Sequence, residues 1–267
     1  MLKFFRRIRQ KLLLQNRVTI HKPASPTSRY LAFAIGEIIL VVVGILIALQ
    51  INTWNINRLE KLEEIKILKS VKDELENSVT EFAFLNTIRE KVIYCTKSIF
   101  ELSLSTDLNH KKLDSLIGQT FYRPTFNNKL GTIDLMFSSG KINMIKNNSI
   151  RKFLISWPEY IEDMTEEEVY AMTLFQNQYY PLISKYIMVA NVINQKFSTS
   201  FFGTELQNDH FSAIHFNSDY SGLLQDKAFY NHLRKRAQHM QINNSEIDDL
   251  ILKAQTTIRM IDNEIKK

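Results

Sequence analysis

Residues 31–51 read LAFAIGEIILVVVGILIALQI, and between 38 and 49 no side chain is charged or strongly polar. As a helix rising 1.5 Å per residue, this run covers about 31 Å, the thickness of a bilayer's hydrocarbon core. Tyr30 and Trp54 stand at its ends, aromatic residues of the kind that settle at a membrane–water interface. A buried core helix is the rival reading, and a cleaved signal peptide is a third. The run is long for a signal peptide, and Ala-Leu-Gln at 48–50 is not a small-x-small cleavage site. The pattern predicts a retained signal anchor, with one transmembrane helix over residues 30–52.

The net charge of +6 is unevenly placed. Residues 1–29 carry Lys3, Arg6, Arg7, Arg9, Lys11, Arg17, Lys22 and Arg29 and no acid, so this tail holds +8 and the remainder −2. Eight basic residues precede the span, and Arg58, Lys61, Lys66, Lys69 and Lys72 follow it. The positive-inside rule then places the N-terminus in the cytoplasm and residues 53–267 outside. A single cysteine, Cys95, suits an oxidising compartment and excludes an internal disulfide or a cysteine-based zinc site.

Within the tail, Met1, Phe4, Phe5, Ile8 and Leu12 share one side of a helix, and Lys3, Arg6, Arg7 and Gln10 the other. Residues 1–14 are therefore expected to lie as a basic amphipathic helix on an anionic leaflet, Phe4 and Phe5 in the acyl boundary and Arg6 and Arg7 among headgroups. Nucleic acid is not an expected partner, because so short a helix offers no groove-fitting fold. Residues 15–29, with Pro23, Pro26 and several Ser and Thr, read as a linker.

The span has two unusual features. Glu37 lies inside the apolar run, where an acid costs up to about 3 kcal/mol at the bilayer centre and less near the interface. Ala32, Gly36, Gly44 and Ala48 make two small-xxx-small pairs, and Gly44 and Ala48 each point within about 20° of Glu37. Gly36, Glu37, Gly44 and Ala48 thus form a candidate surface for transmembrane association, in a homodimer or with a membrane-complex partner. A lone span with Glu37 protonated or snorkelling is the alternative.

Seven glycines and five prolines in 267 residues leave few tight turns, which disfavours sandwiches and barrels. From 54 to 104 there is neither residue, and Leu62, Ile65, Leu68, Val71, Leu75, Phe82, Leu85, Ile88 and Val92 recur at helical steps. Lys69/Asp73 and Lys72/Glu76 are spaced for i,i+4 pairing. A short helix is expected over 108–117 and turns around Gly118, Pro124, Gly131 and Gly140. A second long helix is expected to begin at Ser149, with Pro158 and Pro181 bending or ending its parts. Residues 182–196 read as helical, 197–222 as irregular and 223–265 as helical again. The expected fold class is all-α: a single N-terminal transmembrane helix, then over 53–267 an antiparallel bundle of about four long helices.

The stretches MLKFFRRIRQKLL, YLAFAIGEIILVVVGILIALQINTWN and the charged helix over 57–76 resemble a family of bacterial single-pass membrane proteins classed as a domain of unknown function. Its members join a KFFRxIRQ-like start to a GEIxLVVxGILIALQINxWN-like span and a helical outer region. SSGKINMIKNNSIRKFLISW and DYSGLL look like further stretches of that family, and this chain differs by a longer linker over 18–28. The resemblance implies an inner-membrane protein with a periplasmic helical domain, and it implies no activity.

No chemistry-bearing motif is present: no nucleophile elbow, HExxH, Walker loop or dinucleotide fingerprint. No catalytic, cofactor-binding or metal-ligating residue is therefore assigned. His210 and His215 near Asp209 and Asp219 match no standard metal spacing and read as loop residues. His232 and His239, beside Arg234, Lys235 and Arg236, read as a polar helix face, with an anion site as the alternative. Glu166, Glu167 and Glu168 read as acids favoured at a helix start. Tyr170, Phe175, Tyr179, Tyr180 and Tyr186 form an aromatic band, either core or groove, and Cys95 reads as a small core residue. The expected role is a membrane-anchored, non-enzymatic interaction protein whose partners are the lipid bilayer and a second protein. A periplasmic module that senses a ligand and signals through a partner is the alternative, and an anchored hydrolase the third class.

Overall fold

The structure, a computed structural model, describes residues 26–105, 108–127, 131–193 and 216–267. The expected amphipathic tail with Phe4, Phe5, Arg6 and Arg7 lies outside the described residues, as do Asp209, His210 and His215. Every described element is helical.

Helix α1 runs from Pro26 to Ser103. Proline is tolerated at a helix's first position, where its missing N–H costs nothing, so residues 26–29, expected as linker, are already helical. The chain divides into two compact units, Met1–Lys61 and Leu62–Lys267. The first contains the apolar run. An 18-residue window there has mean hydropathy 2.6 and no buried residue, so this helix is long and apolar enough to cross a membrane.

The second unit holds the rest of α1 with α2 (His110–Gln119), α3 (Gly131–Ser138), a 3-10 turn (Lys141–Met144) and α4 (Asn148–Leu174). A π turn (Phe175–Tyr179) leads to α5 (Tyr180–Tyr186) and α6 (Val189–Ile193), followed later by α7 (Tyr220–Gln225) and α8 (Lys227–Ile265). Where about four long helices were expected, three carry the described part of this unit: the second half of α1, α4 and α8. Their directions follow from their pairings. On α1 and α8, Lys72 meets Asp262, Asn86 meets Asp248 and Glu90 meets Asn244, so one number rises as the other falls. These two are antiparallel. Glu64 reaches Lys146 and Arg89 reaches Glu168, so α1 and α4 run the same way.

The main core joins Leu68, Val71, Leu75, Phe82 and Leu85 of α1 to Ile150, Leu154, Trp157 and Met164 of α4 and Ile247, Leu250 and Ile261 of α8. Trp157 is fully buried, with Phe82 at 6.3 Å and Phe153 at 5.0 Å between ring centroids. Leu62, expected on the buried stripe, is exposed. A second cluster packs Ile99, Leu113, Ile117, Phe121, Phe175, Tyr179, Phe229 and Leu233 together. Cys95 is buried, as its small apolar side chain predicts.

Several boundaries differ from the sequence reading for identifiable reasons. Asn147 caps α4 instead of Ser149, because its extended backbone lets its side chain accept from the amides of Ser149 and Ile150. Pro158 stands inside α4 without ending it. Ahead of Pro181, the π turn takes up the irregularity that the missing N–H would otherwise force. The last helical region breaks at Asp226, whose carboxylate accepts from the Ala228 amide and caps α8. Of the two expected i,i+4 pairs, Lys72–Glu76 forms at 3.6 Å, while Lys72 lies closer to Asp262, at 2.6 Å.

Candidate functional site

On α1 of the first unit, Gly36, Glu37, Gly44 and Ala48 are all exposed, with Tyr30 and Trp54. Space is open where a Cβ would stand at Gly36 and Gly44, so neither glycine is required by its own surroundings.

In the second unit, acidic side chains hold the backbone of the connecting segment. Glu74 accepts from the amide of Thr132 at 2.6 Å and, more weakly, from Ile133 at 3.5 Å, capping the start of α3. Glu64 accepts from Lys146 N at 2.7 Å, and Glu81 from Asn127 N at 2.9 Å. Glu168 takes the Phe126 amide at 2.9 Å through Oε2 and the Arg89 guanidinium through Oε1. Arg89 and Glu168 are both buried. Burial pushes the Glu168 carboxyl upward, while the Phe126 amide and Arg89 pull it back. This corrects the sequence reading of Glu166, Glu167 and Glu168 as helix-start acids: they lie well inside α4.

A shallow cleft lies between α8 and the end of α4. His232, Lys235, Arg236 and His239 line it from α8, spaced as one helical stripe, opposite Ala171, Leu174, Phe175 and Tyr179. The π turn brings both Phe175 and Tyr179 into the core. Arg236 runs beneath the cleft, its Nε donating to Thr120 O and its Nη2 to Tyr122 O, with the guanidinium 4.7 Å from the Phe175 ring centroid. Arg123 approaches the same ring at 5.9 Å. Desolvation pushes Arg236 down to about 10, which leaves it charged at neutral pH. No carboxylate lies within ion-pair distance of Arg236 among the described residues.

His239 is buried, which corrects its reading as part of a polar surface. Its ring meets Tyr170 edge-on at 5.2 Å, and its Nδ1 has no hydrogen-bond partner, with Glu167 3.9 Å away. Burial pushes its pKa down against the pull of Glu167, and Lys235 and Arg236 add to the lowering.

The cleft has about 10 Å³ of free space, room for about one water molecule. The aromatic band is therefore not the lining of a deep groove. Phe175 and Tyr179 are core, Tyr170 and Tyr180 are exposed, and Tyr186 donates to Asp226 at 2.8 Å. The Tyr179 hydroxyl, bonded to Thr120, is pushed up to about 12 by burial. Asp219, offered by the sequence as a neighbour of His210 and His215, caps α7 by accepting from Gly222 N. A Cβ at Gly222 would fall 2.1 Å from Asp219 Oδ2, so a larger residue there displaces the capping carboxylate.

A family model described as a family of unknown function, DUF6090, matches residues 37–198, more than half of the chain. The chain belongs to the DUF6090 family. The DUF6090 match opens at Glu37 within the apolar run and takes in Arg89, Glu168 and the π turn, while Arg236 and His239 lie beyond it. No curated protein and no solved structure matches the chain.

Proposed function

We propose that this DUF6090 chain is a membrane-anchored, non-enzymatic interaction protein. Its apolar helix crosses the bacterial inner membrane once, the N-terminus is cytoplasmic, and residues 53–267 form a periplasmic helical domain. The observation that carries this reading is the apolar run of α1, exposed from 34 to 51. So large an apolar surface is costly in water and favourable in lipid. The exposed stripe of Gly36, Glu37, Gly44 and Ala48 is proposed as its contact with a second membrane helix, where small residues allow close approach and Glu37 supplies a polar bond.

Two measurements test it. A reporter fused after Lys267 that is active only outside the cytoplasm gives signal; activity of a cytoplasm-specific reporter there reverses the orientation. Replacing Glu37 by Gln and Gly44 by Leu weakens self-association in membranes; unchanged association removes the stripe from the reading. A ligand-sensing periplasmic module is the second reading, and the basic cleft on α8 is the observation in its favour.

A further inference from the structure

We propose that the cleft between α8 and the π turn is a binding site for a phosphate-class oxyanion, held at its mouth by Lys235 and His232 and deeper in by His239 and the Arg236 guanidinium. A buried cation is costly unless an anion compensates it, and Arg236 spends its Nε and Nη2 bonds on two neutral backbone carbonyls. Arg123 adds a second guanidinium beside the same Phe175 ring, and Lys235 stands 5.7 Å from the Tyr170 ring. Two acids face these groups: Glu167 lies 3.9 Å from His239 and Asp226 acts on His232, and among the described residues neither forms an ion pair with Arg236.

The second line is hydrogen bonding. His239 is nine-tenths buried, lines the cleft and has a ring nitrogen without a partner, a condition that buried polar groups rarely keep. Carrying its proton on Nδ1, the neutral imidazole becomes a donor. Lys235 adds a point charge of the kind that binds phosphate, and His232 one more donor one turn away. The free space beneath the mouth takes one oxygen of a tetrahedral anion, not an organic body. Free phosphate and the headgroup of a phosphatidate share this chemistry, and the test separates them. The site is independent of the membrane reading, since none of its residues lies in the apolar run.

The experiment uses the full chain in a non-ionic detergent, with thermal unfolding as readout. Inorganic phosphate is compared with chloride at equal ionic strength, and dihexanoyl phosphatidate with dihexanoyl phosphatidylcholine. At about a hundred times its Kd the effective probe raises Tm by about 5–10 °C, and chloride does not. A response to phosphate identifies the free anion; a response to phosphatidate without phosphate identifies the headgroup. The paired variant Lys235→Gln with His232→Asn, both away from the buried guanidinium, lowers the apparent affinity at least about tenfold. His ring signals in the unaltered protein report directly, with those of His232 and His239 moving on titration. Neither probe exceeding its control, undiminished affinity in the paired variant, or static His232 and His239 signals overturns the proposal.

Discussion

Replacing Glu168 by Gln tests whether the second unit is built around a buried charge. In the native fold, Arg89 has two acceptors, Glu168 Oε1 and the Asn243 carbonyl at a long 3.4 Å, and its Nε finds no partner. The substituted amide has a single oxygen: turned to the Phe126 N–H it leaves an NH2 group facing the guanidinium, and turned to the guanidinium it offers a neutral acceptor and sets its NH2 against the Phe126 N–H. Arg89 cannot lose its proton, so an uncompensated charge stays buried. Breaking such a pair costs about 3–5 kcal/mol, which for a unit of this size lowers Tm by about 6–20 °C. Arg89→Met behaves differently, because Glu168 can protonate and still accept from Phe126. Its cost is about 1–3 kcal/mol at acid pH, where the acid is neutral. Without Arg89, the folded pKa of Glu168 stands further above its unfolded value. The folded state then binds more protons than the unfolded state between those two values, and R89M loses stability as pH rises through that window. E168Q lacks the titrating group, so its own stability has no pH dependence from this site. Trp157, fully buried, reports unfolding by fluorescence in a Trp54→Phe background. E168Q costing less than about 1 kcal/mol, or single effects that simply add in the double variant, would refute the reasoning.

Three further outcomes follow from the same structure. Gly222→Ala drives Asp219 off the α7 cap and costs about 1 kcal/mol; in an Asp219→Ala background the same change costs nearly nothing, as read by thermal unfolding. Glu74→Ala strips the start of α3 of its carboxylate, so hydrogen exchange at the Thr132 and Ile133 amides rises by about tenfold or more, while amides near Ile247 keep their protection. Asp114, raised above its ordinary value of 3.8 by burial although Tyr220 and His110 pull it back, binds more protons folded than unfolded. It therefore lowers stability as pH rises from about that value through the raised one, and Asp114→Asn flattens this part of the pH–stability curve.

How far the sequence discloses this fold can be argued from single stripes. The core face of α4 runs through Ile150, Leu154, Trp157, Ile161, Met164, Glu168, Ala171 and Phe175, alternating steps of four and three without a break. Seven of the eight are apolar, which is why the helix is legible. On α8 the sequence Phe229, Leu233, Arg236, Met240, Asn243, Ile247, Leu250, Ala254 does the same. On α1, Leu85, Arg89 and Val92 continue it, whereas a search for apolar residues alone selects Ile88 and passes over Arg89.

The polar residues on these faces are the ones the sequence reading missed, and the period itself marks them. An Arg, Glu or Asn standing where the pattern asks for Leu must be buried, and a buried polar group must find a partner. Periodicity thus identifies Arg89, Glu168, Arg236 and Asn243 as buried, but it cannot pair them. That Arg89 meets Glu168 across 79 residues, and that Arg236 donates to backbone carbonyls, depends on how three helices are phased around one another. Phasing is decided by packing volume, which one chain's pattern does not encode. The same limit explains Glu64, Glu74 and Glu81. On α1 they look like solvated acids, and only the return of the connecting segment along that helix turns them into its backbone acceptors. This segment forms only short helical pieces and turns at Gly140, whose φ of 70° favours glycine, so it could not be placed by hydrophobic period. It is held by carboxylates because several of its amides need acceptors that its own short helices do not supply. A chain so organised keeps its packing information in the stripes and its specificity in the few charged residues that interrupt them. At the Arg236 cleft such an interruption has no ion-pair partner among the described residues.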